Sequence, residues 1–404
     1  MTEPYRMTDV RGRTHQVNAE LRARGAAVPV ILPGEVPGFA ITRHEQLREF
    51  LTDPDVRKAP AHFAALRNGD IPAGWPLLGF AVVPGMTTAD GADLRRLRGL
   101  VSQVFTPNRV ERSRPRVAEL TDALLDDLAD AAARDGGVAD LRSHFALPLP
   151  LNVICELLGI DQRYREPLHR LSNVVINAFA TPEEAIAAGR ALPALLAEVA
   201  AQRRAQPGED LTSAMIAARE DNGDRLSEAE LIGIMQILII AGHETTFNLI
   251  TNAVRALCAH RDALALVQSG QASWAQVVEE TLRFDGPLNY FPFRYPARDL
   301  TVDGVTIPAG APVLAGYASA GRDQRVYGPS ADTFDITRDS ARHLSFGHGP
   351  HFCLGAPLAR LEATVALERL FTRFPHLDLA VPDAELSHAV SFTGNTTTTL
   401  PVRI

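Results

Sequence analysis

FGHGPHFCLG, residues Phe346 to Gly355, places a cysteine among three glycines and two histidines, in a loop that runs straight into a helical pattern. Gly347, Gly349 and Gly355 leave the backbone free for tight turns and for close approach to a flat partner. Phe346 and Phe352 surround the sulfur with apolar surface, and Pro357 reads as a first-turn residue of the following helix. Unpaired amides and the positive end of the helix dipole at such a start stabilise a thiolate. Cys353 is therefore a buried structural thiol, a nucleophile or a metal ligand, and the rest of the chain has to choose. The other two cysteines, Cys155 in LNVICELLG and Cys258 in VRALCAH, lie in apolar helical patterns and read as core packing.

Three cysteines in 404 residues are too few for a disulfide framework or an iron–sulfur cluster. A net charge of −8 argues against bulk binding to nucleic acid. The N-terminal MTEPYRMTDVRGR lacks the apolar centre of a signal peptide. The longest apolar run, LIGIMQILIIAG, falls short of the roughly 20 residues that cross a bilayer. A cytoplasmic monomer with no membrane segment is expected. No linker or charge block divides the chain, so residues 1–404 read as one domain.

Short strand signals open the chain, with a hairpin around Pro33 to Val36 and a helix from His44. The stretch Asp70 to Gly91 is apolar and broken by Pro and Gly, which fits a loop that is buried or lines a cavity. Helical periodicity dominates from there to Leu282, and ELTDALLDDLADAAARDGG ends on Gly136 and Gly137. The longest helix begins at a capping box, Ser227 to Glu230, and runs to about Ala259. LTVDGVTIP turns at Asp303-Gly304 as a hairpin, and the tail from Leu377 reads as strands.

Two further stretches carry chemistry. In IIAGHETTFNL, within the longest helix, Ala241, Glu244 or Thr245, and Asn248 recur at helical spacing. Gly242 thins the helix so that a small ligand fits beside it, and an acid–alcohol pair next to that gap can relay protons. A zinc-protease reading of His-Glu-x-x-His fails, because the last position is Phe247. In SWAQVVEETLRFDGP, Ser273 and Gln276 form a second capping box, and Glu280 and Arg283 share one helix face.

The spacing Phe346, Gly349, Cys353, Gly355, with Gly347 and His351, resembles the heme-binding signature of the cytochrome P-450 superfamily, soluble actinobacterial type. The segment Ala241-Gly242-His243-Glu244-Thr245-Thr246 resembles its oxygen-activating helix, and Glu280-x-x-Arg283 its Glu-x-x-Arg pair. The resemblance implies a mainly α fold with small β-sheets, a long central helix over heme b (iron protoporphyrin IX), and Cys353 as the thiolate ligand of its iron. It implies Glu244 and Thr245 as the catalytic pair, Ala241 beside the O2 site, and Phe346 and Gly355 in the cofactor loop. Arg98, Arg294 and His351 match positions that bind the heme propionates. Glu280 and Arg283 lock the cysteine loop, with no catalytic role.

Two positions depart from the pattern. Leu94 stands where a propionate-binding histidine is usual, and Thr333 where a basic residue often joins the Glu-x-x-Arg pair, leaving that triad incomplete or dependent on Arg338.

The activity so implied is a monooxygenase of secondary metabolism that uses O2 and two electrons to hydroxylate an apolar small molecule, a natural product or a steroid. Oxidative coupling, desaturation, or a catalytically silent heme-binding partner are the alternatives, with a Cys353–His351 hydrolase as a further class. The chain carries no Gly-x-Gly-x-x-Gly after a strand, so electrons come from a ferredoxin and its reductase. Arg95, Arg96, Arg98 and Arg360 are candidates for its docking face. Asp70–Gly91, Val174–Ala180, Leu288–Phe293 and Phe392–Asn395 are expected around the substrate, with Tyr290, Phe291 and Phe293 nearest the heme.

Overall fold

The computed structural model describes residues 3–7, 13–218, 223–339, 342–389 and 391–404. The longest helix, Glu228–Ala259, is the axis of the molecule. Its start is fixed by the expected capping box: Ser227 Oγ accepts from the Glu230 amide, and the Glu230 carboxylate accepts from the Ser227 amide. Most of its side chains are buried, packed by Pro148–Leu157, Pro182–Ala205, Trp274–Phe284 and the helix Ala356–Arg373 that follows the cysteine loop. A helix buried on nearly all sides needs an apolar surface all round, which is what its sequence supplies.

Gly242 serves this packing. A Cβ there would stand 2.9 Å from Ile154 of the neighbouring helix, so the glycine admits a helix where a ligand gap was expected. Gly233 does the same for the Asp70–Gly91 stretch, since a Cβ at 233 would collide with the Pro84 carbonyl. That stretch holds a short helix, Leu78–Val82, and buries Trp75 and Leu77. The Trp75 indole N–H donates to the Pro33 carbonyl at 2.7 Å, tying the stretch to the N-terminal hairpin.

The main sheet has six strands in the order Tyr5–Arg6, Ala27–Leu32, Val36–Ile41, Val313–Gly316, Tyr290–Pro296, Val56–Arg57. Ala27–Leu32 and Val36–Ile41 form the expected hairpin. Leu300–Val302 and Val305–Ile307 form another, with Asp303 and Gly304 both at positive φ as a two-residue turn demands. In the tail, Pro401–Arg403 is the middle strand of three, pairing antiparallel with Asp378–Leu379 on one side and Val138–Asp140 on the other. Register shifts between Phe291 and Arg294 where Tyr290–Pro296 meets Val313–Gly316, and such irregularities re-aim side chains.

Among the described residues, one buried acid has both carboxylate oxygens without a partner. Glu362, in the helix after the cysteine loop, is fully buried, neither carboxylate oxygen finds a hydrogen bond, and burial pushes its pKa well up. A raised pKa means full stability below the unfolded value of about 4.3, lost as pH rises toward the folded value. The loss is about 1.4 kcal/mol per pH unit over that interval. Glu362→Gln is therefore expected to be more stable than the parent, by a margin that widens from pH 5 upward in urea midpoints. A margin that stays constant with pH would contradict a neutral buried acid.

Candidate active site

The cysteine loop is held from two sides before its chemistry begins. Gly347 and Gly349 adopt positive φ of 75° and 72°, so the turn needs glycine at both. Gly355, at φ −79°, is not strained; it is the N-cap of Ala356–Arg373. The Cys353 amide donates to the Phe346 carbonyl at 2.8 Å, closing the loop around the sulfur. Burial pushes the Cys353 thiol up, against the backbone amides of Gly355 and Ala356 and the charges of Arg98 and Arg360, which favour the thiolate. The helix start thus moderates a burial cost that wins, and a cation in front of the sulfur is what would complete ionisation. Cys155 and Cys258 are pushed up to about 12 by burial inside their helices, as core cysteines should be.

Consecutive acids on Trp274–Phe284 hold the flanks of the loop and the stretch that leads to it: Glu279 the flanks, Glu280 through Arg283 the residues 321–335. Glu279 bonds His343 Nε2 at 3.1 Å and Arg360 Nε at 2.6 Å. Burial raises its pKa, but those two partners outweigh it and hold the carboxyl at about 2. Arg360 also lies 4.5 Å over the Phe346 ring. Glu280 takes both Arg283 Nε (2.7 Å) and Nη2 (2.6 Å), fully buried. Arg338 approaches Glu280 only to 3.8 Å, and Thr333 enters through its carbonyl, so the network is completed mainly by backbone groups.

Above the loop, basic groups converge. Burial lowers the His351 pKa to about 2, reinforced by the charges of Lys58, Arg294 and Arg98. Lys58 is itself buried and its pKa pushed well down by burial and by Arg294. Arg98 and Arg294 make no ion pair with a carboxylate among the described residues, nor do Lys58 and His351. Asp90, the nearest acid, is spent on the amides of Lys58 and Ala59. Uncompensated buried cations are costly, and such a cluster fits a group bearing two carboxylates. Tyr317, coupled to both Arg294 and Cys353, joins the same site.

Sequence reading missed Lys58 and Tyr317. Lys58 is placed by strand register, with Val56 opposite Pro296 and Arg57 opposite Tyr295, which brings it beside Arg294. Leu94, where a histidine was looked for, is buried in the main core with Met86 and Leu97.

On the long helix, Ala241 is exposed and Thr245 half-exposed, and Thr245 Oγ1 donates to the Ala241 carbonyl at 2.8 Å. Glu244 turns away from that stripe. Its Oε1 lies 3.3 Å from His243 Nε2 and 3.9 Å from His169 Nδ1, buried and without a hydrogen-bond partner. The acid and the alcohol are neighbours in sequence but serve different sides of the helix.

The segments expected around a substrate do meet. Phe80 packs edge-on to Phe291 at 6.0 Å, and Phe179 edge-on to Phe392 at 6.2 Å. Tyr290 and Phe293, however, are core residues with 0% and 1% exposure, and Phe293 stacks on Trp75 at 5.5 Å. Phe291 alone of the three is partly exposed. The expected basic docking face also shrinks: Arg96 is paired with Glu230 and Asp224, Arg360 with Glu279, and Arg98 is half-buried toward Cys353.

Comparison with known proteins gives a match to the family model described as Cytochrome P450 over residues 274–390. The chain is 37% identical over 402 residues to a 2-hydroxy-5-methyl-1-naphthoate 7-hydroxylase of Streptomyces carzinostaticus, covering 99% of this chain and 97% of that one. It is 39% identical over 378 residues to a vitamin D(3) 25-hydroxylase of Pseudonocardia autotrophica, covering 93% and 90%. Among solved structures, "Testerone bound" CYP154C4 from Streptomyces sp. ATCC 11861 superposes with a TM-score of 0.96 at 42% identity, covering 100% of this chain and 98% of that one.

Proposed function

Because this chain belongs to the cytochrome P450 family and is a heme-dependent monooxygenase, we propose that it hydroxylates an apolar polycyclic small molecule of the steroid or polyketide kind, with electrons from a ferredoxin and its reductase. The observation that carries the reading is the pairing of a loop-held cysteine with four basic groups that lack acidic ion-pair partners among the described residues. Cys353 Sγ would ligate the heme iron, and Lys58, Arg98, Arg294 and His351 would take the propionates. Phe346 and Gly355 would shape the surface around the sulfur, where a Cβ at 355 would stand 3.8 Å from it. When bound, heme supplies O2 activation and the oxidising power for C–H hydroxylation.

The protein's own part is placement and protons. The Thr245 hydroxyl proton is committed to the Ala241 carbonyl, so Oγ1 presents lone pairs to the exposed stripe and accepts a hydrogen bond there. Glu244 supplies the proton from the buried side, and Ala241 keeps the stripe narrow. Phe80, Phe291 and Phe179 line the apolar approach, with Phe392 buried behind Phe179, which suits flat, fused-ring substrates. No described helix is long and apolar enough to cross a membrane. The chain is read as one domain, residues 1–404, acting as a monomer.

The test is turnover of a panel of steroids and macrolactones with a surrogate ferredoxin and reductase under 18O2. Hydroxylated products carrying one labelled oxygen support the reading. Desaturated or coupled products without label would replace hydroxylation by the alternative chemistries, and a heme protein inert toward the panel and toward peroxide would favour the silent partner. The propionate assignment has its own measurement. Lys58→Met removes one charge-assisted bond worth about 1.5–3 kcal/mol, so heme transfer to apomyoglobin should run about 10–100-fold faster. An unchanged rate would exclude Lys58 from the propionate site.

A further inference from the structure

We propose that His169, His243 and Glu244 form a binding site for one divalent transition-metal ion of the zinc type, on the buried flank of the long helix. The three come from two helices, Arg165–Ile176 and Glu228–Ala259, and their donor atoms face one another. His169 Nδ1 lies 3.2 Å from His243 Nε2, His243 Nε2 lies 3.3 Å from Glu244 Oε1, and His169 Nδ1 lies 3.9 Å from Glu244 Oε1. Donors at about 2.0–2.1 Å from a tetrahedral zinc stand about 3.3 Å apart; two of the three separations match this, and the His169–Glu244 pair has to close by about 0.6 Å when the ion binds. Two imidazoles and one carboxylate are the donor set of many zinc centres, and suit zinc better than magnesium or calcium.

The outer contacts already orient the ligands. His243 Nδ1 donates to the Ile239 carbonyl at 2.6 Å, which leaves the Nε2 lone pair facing the cluster. His169 Nε2 meets the Asn173 side-chain amide at 3.0 Å, and that amide serves either ring tautomer, leaving Nδ1 as the inward nitrogen. A single proton, on His169 Nδ1, can satisfy His243 Nε2, but it leaves Glu244 Oε1 unpartnered in a residue only 7% exposed. A bound cation satisfies all three atoms at once. The His169 side chain is 21% exposed, so solvent provides both the access route and a fourth, water ligand. Arg142 faces Glu244 and His169 and opposes the ion's charge, which argues for modest affinity.

A metal at Oε1 removes Glu244 from proton delivery, so zinc should inhibit turnover; that consequence rests on the role given to Glu244 above, whereas the binding does not. The experiment is calorimetric titration of the full-length, tag-free holoprotein with zinc chloride, joined to X-ray absorption at the zinc edge. One site with two imidazole nitrogens and a carboxylate oxygen is expected. Affinity should fall more than about 100-fold in both His169→Ala and Glu244→Gln, beyond what the loss of an outer contact costs. The carbon monoxide difference spectrum of each variant certifies that it is folded and loaded. No binding, or binding unchanged in both variants, overturns the site. Binding that leaves turnover intact keeps the site and overturns the role of Glu244.

Discussion

Cys353→Ser should abolish the strongly red-shifted Soret band of the dithionite-reduced, carbon monoxide-bound protein and cut turnover more than about 1,000-fold, equivalent to about 4 kcal/mol. The substitution leaves the loop intact, because the contact that closes it runs through the Cys353 amide to the Phe346 carbonyl. The positive φ of Gly347 and Gly349 and the Glu279 anchors are likewise untouched. What disappears is the polarizable thiolate. Amides and cations that only partly offset burial for a thiol cannot ionise a serine hydroxyl, whose intrinsic acidity is far weaker. With Lys58, Arg98, Arg294 and His351 still in place, heme is retained with its Soret band at the ordinary position. A variant that keeps the red-shifted band would show that the sulfur of Cys353 is not the ligand, and would return this cysteine to core filler or nucleophile.

The contrast between the cysteine loop and its surroundings explains what could be read from sequence. The loop is local: its glycines, its cysteine and its helix start lie within a dozen residues, and each has a reason at its own position. The capping boxes at Ser227 and Ser273 and the two hairpin turns were legible on the same grounds. Lys58, Tyr317 and His169 are functional candidates only because strand register and helix packing bring them to their partners, and DVRKAP or EPLHRLS carries no mark of that. Gly242 was misread for the same reason. Its missing side chain has several uses, and only the position of Ile154 decides among them. Tyr290, Phe291 and Phe293 look alike in the sequence, yet two are core and one is partly exposed because the strand is irregular where it passes the site. Arg95, Arg96, Arg98 and Arg360 read as one basic face, but charge on a helix says nothing about which acids fold back onto it.

Arg283→Ala should destabilise the protein by about 3–5 kcal/mol, enough to lose folded, heme-loaded protein at ordinary growth temperature. All five donor hydrogens of this fully buried guanidinium are used: Nε and Nη2 on Glu280, the remaining Nη2 hydrogen on the Thr333 carbonyl at 2.8 Å, and Nη1 on the carbonyls of Gly321 and Ala331, each at 2.8 Å. Truncation leaves three buried carbonyls without partners and a buried carboxylate whose one remaining hydrogen bond among the described residues comes from the Asp335 amide. Lysine cannot substitute, having three donors on a flexible stem where five are needed in a planar fork. Arg283→Lys should therefore fall closer to alanine than to the parent. The double variant Glu280→Leu/Arg283→Met removes the orphaned charge and should be less damaged than Arg283→Ala, although the three carbonyls stay unsatisfied. This ordering separates a buried network that organises the approach to the cysteine loop from an ion pair that merely happens to be inside. If Arg283→Ala stays within about 1 kcal/mol of the parent and binds heme normally, the helix Trp274–Phe284 holds the loop through Glu279, His343 and Arg360 alone.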